Sequence, residues 1–104
     1  MKAEFKEIEI NRNGSSYVNY PVLVISVGED QFWLYDAKDH MRMTMRIAHI
    51  EGEELIKSIK KMIDETPELQ SWWGMYRPIV RVKENGFEKD YALDYYQWGF
   101  LRGY

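Results

Sequence analysis

The chain has 104 residues, of which 45% are apolar and 30% are charged, and its formal net charge is −3. These values are typical of one globular domain and exclude a disordered tail, and the mild acidity disfavours a nucleic-acid binder that relies on overall positive charge. The absence of cysteine excludes disulfides, thiolate catalysis and cysteine-ligated zinc.

The first residues and the apolar runs bear on compartment and domain organisation. Residues 1–7 lack the apolar stretch of a signal peptide, and the longest apolar run, 21–27, is far shorter than a membrane span. We therefore expect a cytoplasmic protein that does not enter a membrane. The chain shows no repeat and no Gly-, Pro- or Ser-rich linker, which predicts a single α+β domain over residues 1–104.

Alternating and apolar segments in the first half of the chain predict a meander of about four strands, at residues 5–10, 17–27, 31–36 and 41–47. The Asn13-Gly14 pair predicts the first turn, because both residues tolerate positive φ, and Gly28 predicts the second. Pro21 has no amide hydrogen to donate to a neighbouring strand. We therefore expect an edge position or a bulge near it.

The next segment has the pattern of an amphipathic helix over residues 52–64. Its apolar residues recur at helical spacing and form one stripe: Leu55, Ile56, Ile59, Met62 and Ile63. Acidic residues at its start and lysines further along suit the helix dipole. We expect this stripe to pack on the apolar face of the sheet, over the methionines of the fourth predicted strand.

A short second helix is predicted directly after the first. Thr66 is its candidate N-cap, Pro67 suits the first helical position, and Gly74 closes it. Leu69, Trp72 and Trp73 would then share one face.

A β-hairpin that turns at Asn85-Gly86 is the most sharply defined element of the sequence. With these two residues in the turn, the residue numbers of each cross-strand pair add up to 171. This register opposes charges of opposite sign on one face, at Lys83–Glu88, Arg81–Asp90 and Arg77–Asp94. The other face has apolar pairs at Val80–Tyr91 and Pro78–Leu93, and only Lys89, opposite Val82, does not fit it. A slip of one residue would turn the charges toward the core, so the pattern selects one register.

Together these elements predict an α+β fold: an antiparallel sheet made of a four-strand N-terminal meander and a C-terminal hairpin, packed against one main helix and a short second helix. The sequence leaves open whether the hairpin joins the first sheet or forms its own.

Catalytic and metal-binding patterns are weak. His40 and His49 are the only acid–base candidates for neutral pH, and neither combines with nearby carboxylates in a recognisable ligand spacing. The glycines form no phosphate loop, and the serines have no nucleophile-elbow context. We therefore expect a protein that is not an enzyme and has no metal or cofactor, and a small enzyme that uses His40 and His49 is the least favoured alternative.

One alternative is a nucleic-acid-binding domain with a basic sheet face. Arg42 and Arg46 would lie on one face of the fourth predicted strand, beside the hairpin cations and near the aromatic side chains of Trp33 and Tyr35. The hairpin cations already have acidic partners in the predicted register, which weakens the positive field of this face.

The aromatic residues favour another function. They make up 15% of the chain and cluster late in the sequence, and the predicted partner-binding residues are Trp72, Trp73, Tyr76, Tyr96, Trp98, Phe100 and Tyr104. Burial of all of them in the core is the competing interpretation. We predict a non-enzymatic module that binds a protein partner or forms a homo-oligomer through this aromatic surface. Small motif-free chains of this kind are common among phage and mobile-element accessory proteins, inhibitors of host defences and immunity proteins.

Overall fold

Within the residues that it describes, the computed structural model shows one antiparallel sheet of five strands in the order β1-β2-β3-β4-β5 and one helix longer than a single turn. It describes residues 2–12, 14–35, 52–71, 78–94 and 96–97. The elements are β1 (Lys2–Arg12), β2 (Ser15–Val27), β3 (Asp30–Tyr35), α1 (Gly52–Asp64), β4 (Ile79–Glu84) and β5 (Phe87–Ala92).

The α+β class and the antiparallel sheet are confirmed, and α1 has the predicted bounds. The C-terminal hairpin joins the first sheet, because β4 pairs with β3 from Gln31–Lys83 to Tyr35–Ile79. This answers the question that the sequence left open, and the described sheet has five strands in place of the predicted four-strand meander plus hairpin. The predicted fourth strand, 41–47, lies outside the described residues.

The hairpin between β4 and β5 has the predicted turn and register. Asn85 and Gly86 both have positive φ, 52° and 78°, as a type I′ turn requires. All pairs from Glu84–Phe87 to Ile79–Ala92 sum to 171, and a hydrogen bond from the Leu93 amide to the Pro78 carbonyl (2.8 Å) continues the pairing. The predicted pair at Arg77 lies outside the described residues.

A β-bulge interrupts the pairing of β1 and β2. Ile8 pairs with Tyr20 but Ile10 pairs with Tyr17, so β2 has one residue more than β1 between these pairs. Asn19, within the bulge, has φ 53°. Pro21 lies one residue before the first β2–β3 pair, Val22–Tyr35, where its missing donor does not interrupt that ladder.

Both faces of the sheet are covered by apolar side chains, which explains the continuous apolar run in β2. The cluster on the α1 face consists of Leu23, Ile25, Phe32, Leu34, Ile56, Ile59, Val80, Val82 and Leu93. The cluster on the opposite face consists of Ile10, Val22, Val24, Tyr35 and Ile79. Ile56 and Ile59 are buried in the first cluster, and Met62 and Ile63 pack against it, so these four residues of the predicted stripe face the sheet.

The predicted second helix is wrong for the described part of its range, residues 67–71, which have no helical backbone. Thr66 does not cap a new helix. Its hydroxyl donates to the carbonyl of Met62 (2.7 Å) and its amide to that of Ile63 (3.1 Å), so it closes the last turn of α1. Because the residue before a proline avoids helical backbone, Pro67 then favours an extended course.

The segment that follows α1 crosses the edge of the sheet. The Leu69 amide donates to the carbonyl of Asp90 on β5 (2.7 Å), and the Leu69 side chain packs against the cluster opposite α1. The chain therefore passes from one face to the other around β5 and covers part of its outer edge. None of the helices in the described ranges has the length and apolarity to cross a bilayer.

We expect Arg81→Asp to lower the free energy of unfolding by about 2–3 kcal/mol. Arg81 and Asp90 form a two-point ion pair (Nε–Oδ1 2.8 Å, Nη2–Oδ2 3.2 Å) whose side chains are only 31% and 18% exposed, so two facing carboxylates would repel each other. The double exchange Arg81→Asp with Asp90→Arg restores opposite charges and should recover more than half of the loss. Urea denaturation of the three proteins measures this, and equal stability of the single variant and the wild type would contradict the role of this pair.

Candidate functional site

The face opposite α1 carries a tryptophan flanked by two lysines. The ammonium group of Lys83 lies 3.9 Å from the centroid of the Trp33 ring, and that of Lys6 lies 5.3 Å from it. The Trp33 indole nitrogen donates to the side-chain oxygen of Gln31 (3.0 Å), which fixes the ring orientation. Cations over an indole are attracted by its negative π face, so both lysines are drawn to one ring.

The strand register explains why these side chains meet. Trp33 lies between Val24 of β2 and Arg81 of β4 in neighbouring strands. Lys6 is opposite Val22, which is two residues from Val24 and therefore on the same face. Each of these positions follows from the period of two along its strand.

Next to Trp33, the same face carries a stacked arrangement around Tyr35. The rings of Trp33 and Tyr35 are stacked, with their centroids 6.5 Å apart and an angle of 27° between the ring planes. The Arg81 guanidinium lies 5.5 Å from the Tyr35 ring while it forms the ion pair with Asp90. Tyr35 is 1% exposed, so its ring is almost completely shielded from water.

The electrostatics of this arrangement follow from burial and from the ion pair. Burial raises the pKa of the Tyr35 hydroxyl above its ordinary value, and the nearby Arg81 charge opposes that shift. The hydrogen bond to Asp90 raises the pKa of Arg81 further above its already high value. At neutral pH the site therefore contains a neutral phenol and a neutralised guanidinium–carboxylate pair.

A cleft of about 400 Å³ opens beside this arrangement. It is lined by Ile8, Glu9, Ile10, Asn11, Tyr35, Gln70, Ser71, Arg81 and Asp90. One wall is the part of the β1–β2 hairpin that extends beyond β3, and the other is the segment after α1. The lining mixes apolar, amide and charged groups, a composition that suits recognition by hydrogen bonding. Across the described ranges, no three His, Asp or Glu side chains are grouped to hold a metal ion.

Tyr96 is the most exposed large apolar side chain of those described, at 92%. Its backbone is held by a reciprocal capping box: the Gln97 amide donates to the Asp94 carboxylate (2.8 Å), and the Asp94 amide donates to the Gln97 side-chain oxygen (2.9 Å). The backbone at Tyr96 and Gln97 is helical. Strand β5 therefore ends at Ala92, and the capping box fixes the backbone at Tyr96 and Gln97.

Of the predicted partner-binding residues, Tyr96 is described and exposed. The others lie outside the described residues: Trp72, Trp73, Tyr76, Trp98, Phe100 and Tyr104. The same holds for Arg42 and Arg46 of the nucleic-acid alternative and for His40 and His49 of the enzyme alternative. These assignments stay predictions.

Two features of the site escaped the sequence analysis. Lys6 was not placed beside Trp33, because the turn at residues 13–14 alone gives a register that the bulge shifts by one residue. The turn before Tyr96 has a sequence signal, since Asp94 followed three residues later by Gln97 is a capping-box pattern.

In comparisons with known proteins, the chain matches no family model, no curated protein and no solved structure. The surface chemistry described above is therefore the basis for a functional proposal.

The raised pKa of Tyr35 predicts a stability loss at alkaline pH. The folded state keeps the phenol proton more tightly than the unfolded state, so this contribution is complete below the ordinary pKa of 10.0 and is lost as pH rises through the raised folded value. Tyr35→Phe removes this ionisation, and its free energy of unfolding should fall less steeply above pH 10. Denaturation curves from about pH 8 to about pH 11 measure the slopes.

Tyr17→Phe, which removes the hydroxyl of an exposed tyrosine, is the matched control. If the slope for Tyr35→Phe equals that of the wild type, burial of the Tyr35 phenol does not govern alkaline stability.

Proposed function

We propose that this protein is a cytoplasmic, non-enzymatic protein-binding module that acts through an aromatic surface formed by Trp72, Trp73, Tyr76, Tyr96, Trp98, Phe100 and Tyr104. The observation that carries the proposal is Tyr96, a large aromatic side chain exposed at 92% on a backbone fixed by two reciprocal hydrogen bonds. Small motif-free chains of this kind are common among phage and mobile-element accessory proteins, inhibitors of host defences and immunity proteins, and we propose that the protein belongs to this group.

The physical argument rests on pre-organisation. A tyrosine has two side-chain torsions, so it contributes a large contact area at a small entropic cost, and tyrosine is enriched among the residues that dominate binding energy. The capping box between Asp94 and Gln97 orders the backbone before any partner arrives.

The position of Tyr96 supports a combined surface with the cleft. The capped turn follows Leu93, whose amide bonds to Pro78 just before β4 begins. That end of β4 pairs with Tyr35 at the end of β3, and Tyr35 lines the cleft. A partner that covers Tyr96 would therefore lie near a groove with hydrogen-bonding groups, as a polar rim around an aromatic anchor requires.

Site-specific photocrosslinking tests the proposal. A benzoylphenylalanine at position 96, in cells that encode the protein, should form one discrete adduct that mass spectrometry identifies. The matched control is position 87, because Phe87 is also an exposed aromatic (68%) but lies at the opposite end of β5. With the identified partner, Tyr96→Ala should weaken binding at least about tenfold by calorimetry, and Phe87→Ala should not.

Two results would contradict the proposal. One is equal crosslinking from positions 96 and 87, and the other is an unchanged affinity of Tyr96→Ala for the partner.

A second candidate function, nucleic-acid binding, has a specific observation in its favour. Lys6 and Lys83 flank Trp33 on one sheet face, which resembles a stacking platform for bases beside phosphate contacts. It ranks second because Glu88 lies 3.2 Å from Lys83 and Glu4 lies 3.9 Å from Lys6, so the local charge is nearly balanced.

Fluorescence anisotropy with a single-stranded oligonucleotide tests the second candidate. If it holds, Trp33→Ala and Lys6→Ala weaken binding, Lys6→Ala lowers the salt dependence, and Arg42→Ala and Arg46→Ala weaken it further. Lys60→Ala, which changes a lysine over Phe32, is the control and should have no effect. No binding at low salt would remove this candidate.

A further inference from the structure

The two turn residues between β4 and β5, Asn85 and Gly86, carry a reactive combination of groups. Both are exposed, and among the described residues neither the Asn85 carboxamide nor the Gly86 amide has a hydrogen-bond partner. A Cβ added at Gly86 would meet nothing within 4 Å, so the turn projects into open space. The turn lies at the opposite end of β5 from Tyr96, so an inference about it goes beyond the proposed function and does not depend on it.

An asparagine followed by glycine can lose its side-chain amide in water alone, because no side chain hinders the glycine nitrogen. The nitrogen of Gly86 gives up its proton and attacks the side-chain carbonyl carbon of Asn85. The new C–N bond closes a five-membered succinimide ring, and the side-chain nitrogen takes up the proton and leaves as ammonia. Water then opens the ring and leaves aspartate or isoaspartate. One water is consumed and one ammonia is released, with no oxidation or reduction.

Ring closure requires one backbone conformation at Asn85. The side-chain carbon Cβ and the Gly86 nitrogen must be eclipsed about the Cα–C bond. That arrangement needs a ψ of about −120°, the value at the first central residue of a type II′ turn. A type I′ turn has a ψ of about +30° at this position, which places the two atoms almost opposite each other. The folded type I′ turn therefore protects Asn85 until its backbone changes.

The φ angle of Asn85 shortens the path to the reactive conformation. It is 52°, and a type II′ turn also has a φ of about +60° at this position. The change of turn type is therefore a rotation of the one peptide plane between Asn85 and Gly86. Gly86 must move from its φ of 78° to about −80°, and glycine tolerates both signs. Types I′ and II′ both connect strands by two residues, so the rotation leaves Glu84 paired with Phe87.

We propose that Asn85 is a site of spontaneous deamidation, and that rotation of the peptide between Asn85 and Gly86, with β4 and β5 still paired, is the step that admits the reaction. The two products differ in their effect on the hairpin. Aspartate before glycine is compatible with a type I′ turn, and it adds a negative charge beside Glu84. Isoaspartate adds one carbon to the main chain between Glu84 and Phe87, so the two-residue turn no longer fits this pair.

Peptide mapping by mass spectrometry tests the reaction residue by residue. The folded protein is kept in mildly alkaline buffer, and the same chain unfolded in guanidinium chloride is the reference. Asn85 should convert in both samples. Conversion should be about ten- to a hundredfold slower in the folded protein, because the type II′ backbone is sparsely populated by residues other than glycine. Electron-transfer fragmentation distinguishes isoaspartate from aspartate.

Asn19 is the matched control within the same chain. It is exposed and has a φ of 53°, nearly the same as that of Asn85, but the residue after it is Tyr20, whose side chain hinders attack by its nitrogen. In both samples Asn19 should stay unconverted over the time that converts Asn85. Asn13 is also followed by glycine and lies outside the described residues, and peptide mapping separates its conversion from that of Asn85.

A charge exchange next to the turn separates rotation of the peptide from opening of the hairpin. Lys83 lies 3.2 Å from Glu88, so Lys83→Glu opposes two carboxylates and should loosen the pairing, which faster hydrogen exchange of the Phe87 amide reports. The double variant Lys83→Glu with Glu88→Lys restores opposite charges. If rotation admits the reaction, Asn85 converts at the same rate in the folded wild type and in both folded variants.

Three results would overturn the proposal. One is that Asn85 stays unconverted in the folded protein while the unfolded chain reacts. Another is conversion of Asn19 at the rate of Asn85. The third is faster conversion in Lys83→Glu that the double variant reverses, since the hairpin would then have to open before the reaction.

Discussion

The ion pair between Arg81 and Asp90 connects more of this structure than any other single contact described. It opposes two strands in the register that places Val80 and Val82 on the α1 face and Arg81 and Lys83 on the other face. It places a guanidinium against the buried Tyr35 ring and forms part of the cleft lining. The backbone of Asp90 also accepts the Leu69 amide, so the same residue anchors the segment that crosses the edge of the sheet. A half-buried pair contributes little net stability by itself, and its main effect is to exclude alternative pairings.

The second constraint is that the sheet is covered on both faces. The apolar run of β2 contributes alternate side chains to each cluster, Leu23 and Ile25 to one and Val22 and Val24 to the other. The helix covers only the first, so the second cluster depends on Leu69 and on the aromatic residues Trp33 and Tyr20. Part of the aromatic excess in the composition is thus structural. Tyr96, which none of the described residues covers, belongs to the part that the core does not use.

The elements that local chemistry controls were predictable from the sequence. The hairpin register followed from two turn residues and a charge pattern, and the helix from its apolar stripe, because in both cases every signal comes from residues near one another in the chain. The predictions that were wrong depend on a choice between competing local signals. Thr66 was a plausible N-cap, yet the carbonyls at the end of α1 were closer partners for its hydroxyl and amide. Joining β4 to β3 requires contact across more than forty residues, which no local pattern encodes.

The candidate site was partly predictable for the same reason. Trp33 and Tyr35 were expected near the hairpin cations and do lie there. The position of Lys6 beside Trp33 was not predicted, because one extra residue of β2 at the bulge shifts the pairing of β1 by one position. The predicted turn at Asn13-Gly14 gives no sign of this extra residue. Tyr96 is one of the predicted contact residues, and the helical backbone that carries it follows from the capping box between Asp94 and Gln97.

The bulge has a further consequence for how β2 divides its length. Its second half, from Val22, is buried between two clusters and tolerates few changes. Among the described residues its first half pairs only with β1, and it carries Tyr17 and the 71%-exposed Val18. The extra residue at Asn19 resets the alternation, so Tyr17 and Tyr20 lie on one face with their rings 6.1 Å apart. The alternation of side chains between the two faces is thus set separately before and after the bulge. The side chains of the first half of β2 can therefore be substituted without any change of strand register in the core.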